Sequence, residues 1–349
     1  MLQKIRLGKT NMVVTRLGFG GIPIQRDTEE EAIAVVRKCL DLGINYIDTA
    51  NAYSTSEERI GKAIAGRRRE DLVLATKTQS RGREQAEKHL KQSLKMLGTD
   101  YIDLIQFHNI SSDKDFKAIM APDGAMPFLQ EMKQKGIVRH IGVSSHTIDT
   151  AKELIKSDLF ETMLFPFNFV TREPGEELLP LARQHDVGFI AMKPLSGGLL
   201  DDVTIAFKYL AKFPDVLAIP GIEKAHEIEE IVKIVEGPLL MSVAEEAEMV
   251  RLQEELGKSF CRRCDYCQPC PEEIGISTVL TVKSVAKRMP ADRLFSGPQG
   301  GAVEKVANCT QCGLCEGRCP YGLPIIDLIA EKLTWFHQEK QKFQQRVGG

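Results

Sequence analysis

The sequence predicts an α/β chain in two parts: a (β/α)8 barrel, then a small, mainly helical domain that gathers the cysteines. Three observations carry that expectation. Eight short apolar runs recur through roughly the first 240 residues, with amphipathic stretches between them. Eight of the nine cysteines crowd between residues 261 and 319, whereas Cys39 stands alone upstream. Hydrophobic residues make up 43% of the 349, enough for one large core and a smaller one. The expected boundary gives domains of residues 1–240 and 241–349.

The runs occupy residues 13–20, 44–50, 72–77, 101–108, 137–144, 161–168, 187–194 and 216–221. Helical patterns separate them. The first, over residues 28–43, has Thr28 and Glu31 spaced as a capping box and Gly43 as its stop. Eight strand–helix units in about 240 residues is the arithmetic of a closed barrel. A doubly wound sheet also alternates, but it does not require eight units. Cys39, among Val35, Val36 and Leu40, reads as a small buried core residue. The loop over residues 109–126 is long for a βα connection and suits a lid.

In a barrel the chemistry sits where strands end. The polar residues at those ends are Asp48, Lys77, His108, Ser144 with Ser145, Asn168, Lys193 and Gly221, in strand order from the second to the eighth. Tyr53 lies on the loop after Asp48. Taken singly, each has a bland reading: an Asp caps a helix, a Lys is solvated, a His or Tyr packs. Together, Asp48, Tyr53, Lys77 and His108 on consecutive βα loops look like a site.

The C-terminal part opens with a helix whose start is marked by Ser242 and Glu245 as a capping box, and whose end is marked by Gly257. Two cysteine motifs follow, CRRCDYCQPCP at 261–271 and CTQCGLCEGRCP at 309–320. A C-x2-C-x2-C run wraps the backbone round one corner of a cube, and the last iron needs a more distant thiolate. Two [4Fe-4S] clusters are therefore expected. In two-cluster ferredoxins the fourth cysteine of each motif serves the other cluster. By that logic Cys261, Cys264, Cys267 and Cys319 hold one cluster, and Cys309, Cys312, Cys315 and Cys270 hold the other. Zinc prefers two C-x2-C pairs set apart, and disulfides need an oxidising compartment. Cys270 is the departure, because its C-x2-C step is one residue shorter than the bacterial C-x3-C. Between the motifs, residues 278–289 have helical spacing and 296–301, SGPQGG, read as a turn. The tail puts Ile325, Ile329, Leu333 and Phe336 on one helical face. The module resembles the helical dicluster ferredoxins of respiratory iron–sulfur subunits.

A formal charge of −2 without long runs of one sign argues against a nucleic-acid partner. The N-terminus has no signal-peptide pattern, and no window reaches the ~18 apolar residues of a membrane span. A cytoplasmic location and no membrane partner are the expectation.

The strings YIDTANAYSTSEERIG (46–61), LATKT (74–78), YIDLIQFH (101–108) and IGVSSH (141–146) resemble those of the aldo-keto reductases. The similarity covers residues 1 to about 240, and the whole chain resembles the branch with a C-terminal dicluster ferredoxin domain. The resemblance implies that Tyr53 gives a proton to a carbonyl oxygen, Lys77 lowers its pKa, Asp48 holds Lys77, and His108 orients the carbonyl. The logic is physical too: a free phenol, with a pKa near ~10, is a sluggish acid until a neighbouring ammonium favours its phenolate.

The same resemblance implies NAD(P)H laid across the barrel mouth and a small carbonyl-type substrate. Ser144 and Ser145 would touch the carboxamide, Met192 would lie beside the nicotinamide, and Lys193 and Leu195 would follow the pyrophosphate. Gly221, Lys224, Glu227 and Glu230 would face the adenosine end. Leu164 stands where a glutamine is usual, Met192 where a tyrosine often stacks, and Glu227 where NADPH-specific members tend to have an arginine. A carboxylate suits a ribose hydroxyl, so NADH is favoured, with Lys224 able to offset it. Hydride carries two electrons and a cluster takes one, so a converter such as a flavin is left open, as is a redox partner protein. Three function classes stand: a reductase whose clusters relay electrons, an electron-transfer subunit whose barrel docks a partner, and a cluster-based sensor. The four-residue constellation favours the first.

Overall fold

Thr15 divides the first apolar run. Its hydroxyl donates locally to the Leu17 carbonyl at 2.7 Å and its amide to the distant Asn45 Oδ1 at 2.8 Å, bonds that compete with a strand ladder. In the computed structural model, which describes residues 1–347, Val13–Thr15 (β2) accordingly pairs antiparallel with Lys4–Arg6 (β1). Only Phe19–Gly20 (β3) joins the main sheet. The hairpin presses on the barrel through Gly8, whose φ is +51° and where a Cβ would sit 2.2 Å from the Gly188 nitrogen.

The other runs each yield one strand. After β3 come α1 (Glu29–Asp41), β4 (Tyr46–Asp48), α2 (Ser56–Ile64), β5 (Val73–Thr78), α3 (Arg83–Leu97) and β6 (Ile102–Phe107). Then follow α4 (Asp113–Met120), α5 (Ala125–Gln134), β7 (Val138–Ser144), α6 (Ile148–Lys156), β8 (Thr162–Pro166), α7 (Glu173–Glu177) and α8 (Leu179–Gln184). β9 (Gly188–Met192), α9 (Val203–Ala211), β10 (Val216–Ile219) and α10 (Ala225–Val235) complete the series. The capping box forms as spaced: Glu31 N donates to Thr28 Oγ1 at 3.3 Å and Thr28 N to Glu31 Oε2 at 3.2 Å.

Strands β3 to β10 lie parallel in sequence order. Parallel bridges Leu17↔Ala218 and Gly20↔Gly221 bring the two edges together, so the chain forms a barrel of eight parallel strands, nearly closed. Leu7, Tyr46, Ala75, Leu104, Leu164, Ile190 and Leu217 fill the interior. It is a packed core rather than a pore, which leaves the C-terminal strand ends as the usable surface.

The chain divides into two compact units, residues 1–196 with 200–242, and 197–199 with 243 onward. In the second, α11 (Val243–Gly257) starts directly after Ser242. The helical stretch over 278–289 is two short helices, α12 (Ile276–Leu280) and α13 (Val282–Ala286), separated at Thr281, whose hydroxyl bonds back to the Ser277 carbonyl at 2.8 Å. After α14 (Ala291–Ser296), the expected SGPQGG turn shrinks to Gly297. Pro298, pre-set at a first helical position, opens α15 (Pro298–Glu304). α16 (Leu314–Gly317) precedes α17 (Ile325–Val347). Ile325, Ile329 and Phe336 are buried and Leu333 half-buried against them, the face expected from spacing. Among the described residues no helix is long and apolar enough to cross a membrane.

Candidate active site

Asp48 ends β4 and Lys77 lies near the end of β5. Both side chains are buried, at 4% and 2% exposure. The Lys77 ammonium donates to Asp48 Oδ1 and, at 2.7 Å, to the Thr49 carbonyl. Gln106 Nε2 holds the other Asp48 oxygen at 3.0 Å. Burial alone would strip the Lys77 proton, but Asp48 and Tyr53 outweigh it and hold the amine above its ordinary value. Burial pushes the Asp48 carboxyl the other way, up, against the pull of Lys77 and Gln106.

Over this pair lies Tyr53, half-buried, with Lys77 Nζ 5.2 Å from its ring centroid. The Tyr53 carbonyl accepts from the Ser56 amide at 2.7 Å, turning the loop into α2. His108, also half-buried, meets Tyr53 edge-on at 5.8 Å between ring centroids and 84° between planes. The structure thus brings together all four residues that the sequence singled out.

Two others in the same place were not foreseen. Gln106 is paired with Lys77 across β5 and β6, and its i, i+2 spacing from His108 is a signal that could have found it. Glu57 is buried to 3%, with the Thr76 hydroxyl donating to it at 2.6 Å. Burial pushes its carboxyl up, against Ser93, Thr76 and, more weakly, Lys77. Nothing local announces Glu57, because an acid in the first turn of a helix is commonplace.

On one rim, Ser144 Oγ accepts from the Asn109 amide at 2.8 Å and Ser145 Oγ lies 3.4 Å from Ser111 Oγ. Lys193 Nζ is 3.1 Å from His146 Nε2, and His146 Nδ1 is 2.8 Å from Asn109 Oδ1. Lys193 itself is left-handed, with φ +56°, and its carbonyl is held by Asn168 Nδ2 at 2.9 Å. Met192 and Leu195 are half-buried beside it. Leu164 is buried in the barrel core. Loop 109–126 contains α4, pinned by Arg81 Nε to Asp115 Oδ1 at 2.9 Å. On the opposite rim Gly221 meets Gly20, Lys224 Nζ binds Asp27 Oδ1 at 2.8 Å, and Glu230 is exposed on α10. Glu227 Oε2 accepts from the Glu223 and Lys224 amides at 2.7 and 2.9 Å.

In the second unit Cys270, Cys309, Cys312 and Cys315 line one open pocket, walled by Ile274, Ile276 and Ile329. The other thiols form a second group. Burial drives Cys261 up to about 11 and Cys267 up to about 12, with neighbouring thiols adding to both. Cys319 bears in the same way on Cys264, after burial. Arg318 Nη1 ties the motifs by donating to the Pro269 carbonyl at 2.8 Å. Among the described residues no three His, Cys, Asp or Glu side chains converge on a single-ion position. Two all-sulfur sets, one of them lining an open pocket, fit clusters that spread their thiolates over separate irons. Cys39 is fully buried, its thiol pushed by burial up to about 12.

Residues 16–204 match the aldo/keto reductase family, and residues 260–324 match a 4Fe-4S dicluster domain. An uncharacterized oxidoreductase of Schizosaccharomyces pombe is 31% identical over 260 residues, covering 64% of this chain and 82% of its own. The NADH-specific methylglyoxal reductase of Escherichia coli is 27% identical over 271 residues, covering 67% and 78% respectively. Among solved structures, an aldo-keto reductase from Bacillus halodurans in its holo form superposes with a TM-score of 0.62 at 28% identity. It covers 72% of this chain and 96% of that one.

Proposed function

The chain belongs to the aldo/keto reductase family and carries a 4Fe-4S dicluster domain, and from that premise we propose that it reduces a small carbonyl compound at the barrel mouth with NAD(P)H. The observation that carries the reading is the buried Lys77–Asp48 pair directly beneath a half-buried tyrosine whose edge is met by a histidine.

Bound, the nicotinamide supplies the hydride, since no side chain can. Everything else belongs to this chain. His108 and the Tyr53 hydroxyl receive the carbonyl oxygen and fix its direction. As negative charge grows on that oxygen, Tyr53 gives it a proton. The Lys77 ammonium supports the phenolate left behind, and Asp48, the Thr49 carbonyl and Gln106 keep that ammonium charged and still. The nucleotide seat is the rim of Ser144, Ser145, Met192, Lys193 and Leu195, continuing toward Gly221 and Lys224. Lys193 supports this seat, because a non-glycine residue held left-handed by a neighbour is strain of the kind found at binding sites.

The cysteines hold two clusters in the pairing drawn from their spacing, and these relay single electrons to or from a redox partner protein. The exposed Cys312 favours exchange at the protein surface. Coupling to the barrel would require a converter such as a flavin. The test is anaerobic purification with iron and sulfide counted per chain, then NADH or NADPH with a test aldehyde. The reading expects nicotinamide-dependent aldehyde loss that Tyr53→Phe removes. Undiminished turnover in Tyr53→Phe would overturn it.

A further inference from the structure

The loops that follow the first and last barrel strands are laced together by charge. Lys224 Nζ contacts Asp27 Oδ1 at 2.8 Å and Glu31 Oε1 at 3.4 Å, and Arg26 lies 3.5 Å from Glu223. All five residues belong to the barrel unit. With Glu227, four carboxylates stand here against two cations.

Asp27 is the unusual member. Its side chain is only 4% exposed, Lys224 takes one oxygen, and Oδ2 is buried without a hydrogen-bond partner. A buried acceptor without a donor is costly, so such an orphan asks for an explanation. Glu227 differs in that one of its oxygens, Oε2, serves two backbone amides. Glu223 has burial pushing it up, with Arg26 opposing and Asp27 reinforcing, so the neighbourhood already resists more negative charge. What Asp27 Oδ2 lacks is a donor. A phosphate dianion is the group this corner repels.

We infer that Asp27 is the nucleotide-selecting residue: its free oxygen accepts a hydrogen bond from a ribose hydroxyl of the adenosine half, choosing NADH over NADPH. The inference rests on the reading that the barrel takes a nicotinamide nucleotide. Lys224 then acts as a brace that holds Asp27 across the mouth, and it is already neutralised before any 2′-phosphate arrives.

The test uses the full chain, purified anaerobically with its clusters, and measures dissociation constants for NADH and NADPH by fluorescence titration. Wild type binds NADH more tightly. Asp27→Asn narrows the NADH:NADPH ratio by about tenfold or more, the size of one charge-assisted hydrogen bond. Lys224→Met leaves the carboxylate uncompensated and widens the ratio, which keeps the inference testable if Asp27→Asn does not fold. A wild type that prefers NADPH overturns the inference, and so does a ratio that Asp27→Asn leaves within about twofold, or one that Lys224→Met narrows. If wild type binds a nucleotide but does not respond at Asp27, this assignment alone fails. If wild type binds neither, the underlying reading falls with it.

Discussion

Replacing Asp48 by Asn removes one charge from the most buried ion pair of the barrel. Asp48 Oδ1 accepts from Lys77 and Oδ2 from Gln106. The variant can keep the first bond by presenting its amide oxygen, but its NH2 then faces the Gln106 NH2. Gln106 has a remedy, because its Oε1 is buried with no partner and a flip would turn it toward the new donor. The shape therefore survives and the electrostatics do not. Leaving a buried charge uncompensated costs about 3–5 kcal/mol, and the repaired hydrogen bond puts this case at about 3. For a domain of this size that lowers the barrel transition by roughly 6–12 °C.

The pH dependence has two opposite arms. In wild type Lys77 is held above its ordinary value, so its contribution is complete at neutral pH and is lost only as pH rises through that raised value. In the variant burial is opposed by Tyr53 without Asp48, and the Lys77 pKa drops. The unfolded chain then binds the extra proton, so stability rises with pH while reductase activity, which needs the ammonium, falls. Calorimetric melting and steady-state rates between pH 6 and 9, on anaerobic protein, read both. A variant that melts within 2 °C of wild type, or whose stability and activity move together with pH, refutes the reasoning.

Three further outcomes follow from the same geometry. Tyr53→Phe lowers turnover by roughly 10²–10⁴-fold while nucleotide affinity, read by titration, holds; equal loss in affinity would argue for a binding role instead. Glu57 carries a carboxyl raised by burial, so its folded form binds a proton more readily than the unfolded one, and wild type loses stability as pH rises through that window. Glu57→Gln flattens this slope in melts between pH 4 and 7, and an unchanged slope would clear Glu57 of the effect. Cys270→Ala reduces iron and sulfide by about half per chain, whereas Cys39→Ala leaves both unchanged; equal counts in Cys270→Ala would remove it from the ligand set.

The parts of the structure written in short-range spacing were legible. Thr28 and Glu31 three apart form a capping box whatever surrounds them, and Ile325, Ile329 and Phe336 share a face because a helix has 3.6 residues per turn. Asp48, Lys77 and His108 could be picked out because barrel topology puts strand ends on one face, so position in the chain becomes position in space. What resisted reading depends on partners far away in sequence. Thr15 ends its strand by bonding Asn45, thirty residues on. Glu57 is ordinary in its helix and becomes unusual only because Thr76 and Lys77 close over it. Asp27 escapes a sequence reading for the same reason: its partner, Lys224, lies 197 residues away.

The central claim is that hydride passes directly from the nicotinamide to a carbonyl carbon at the site built on Tyr53. Nicotinamide nucleotide carrying deuterium at the transferring position, incubated anaerobically with the protein and a simple aldehyde, tests it in one product analysis. One deuterium on the carbinol carbon of each alcohol formed is the result this account predicts. Alcohol formed without the label, its reducing electrons having come through the clusters and its hydrogen from solvent, would contradict it.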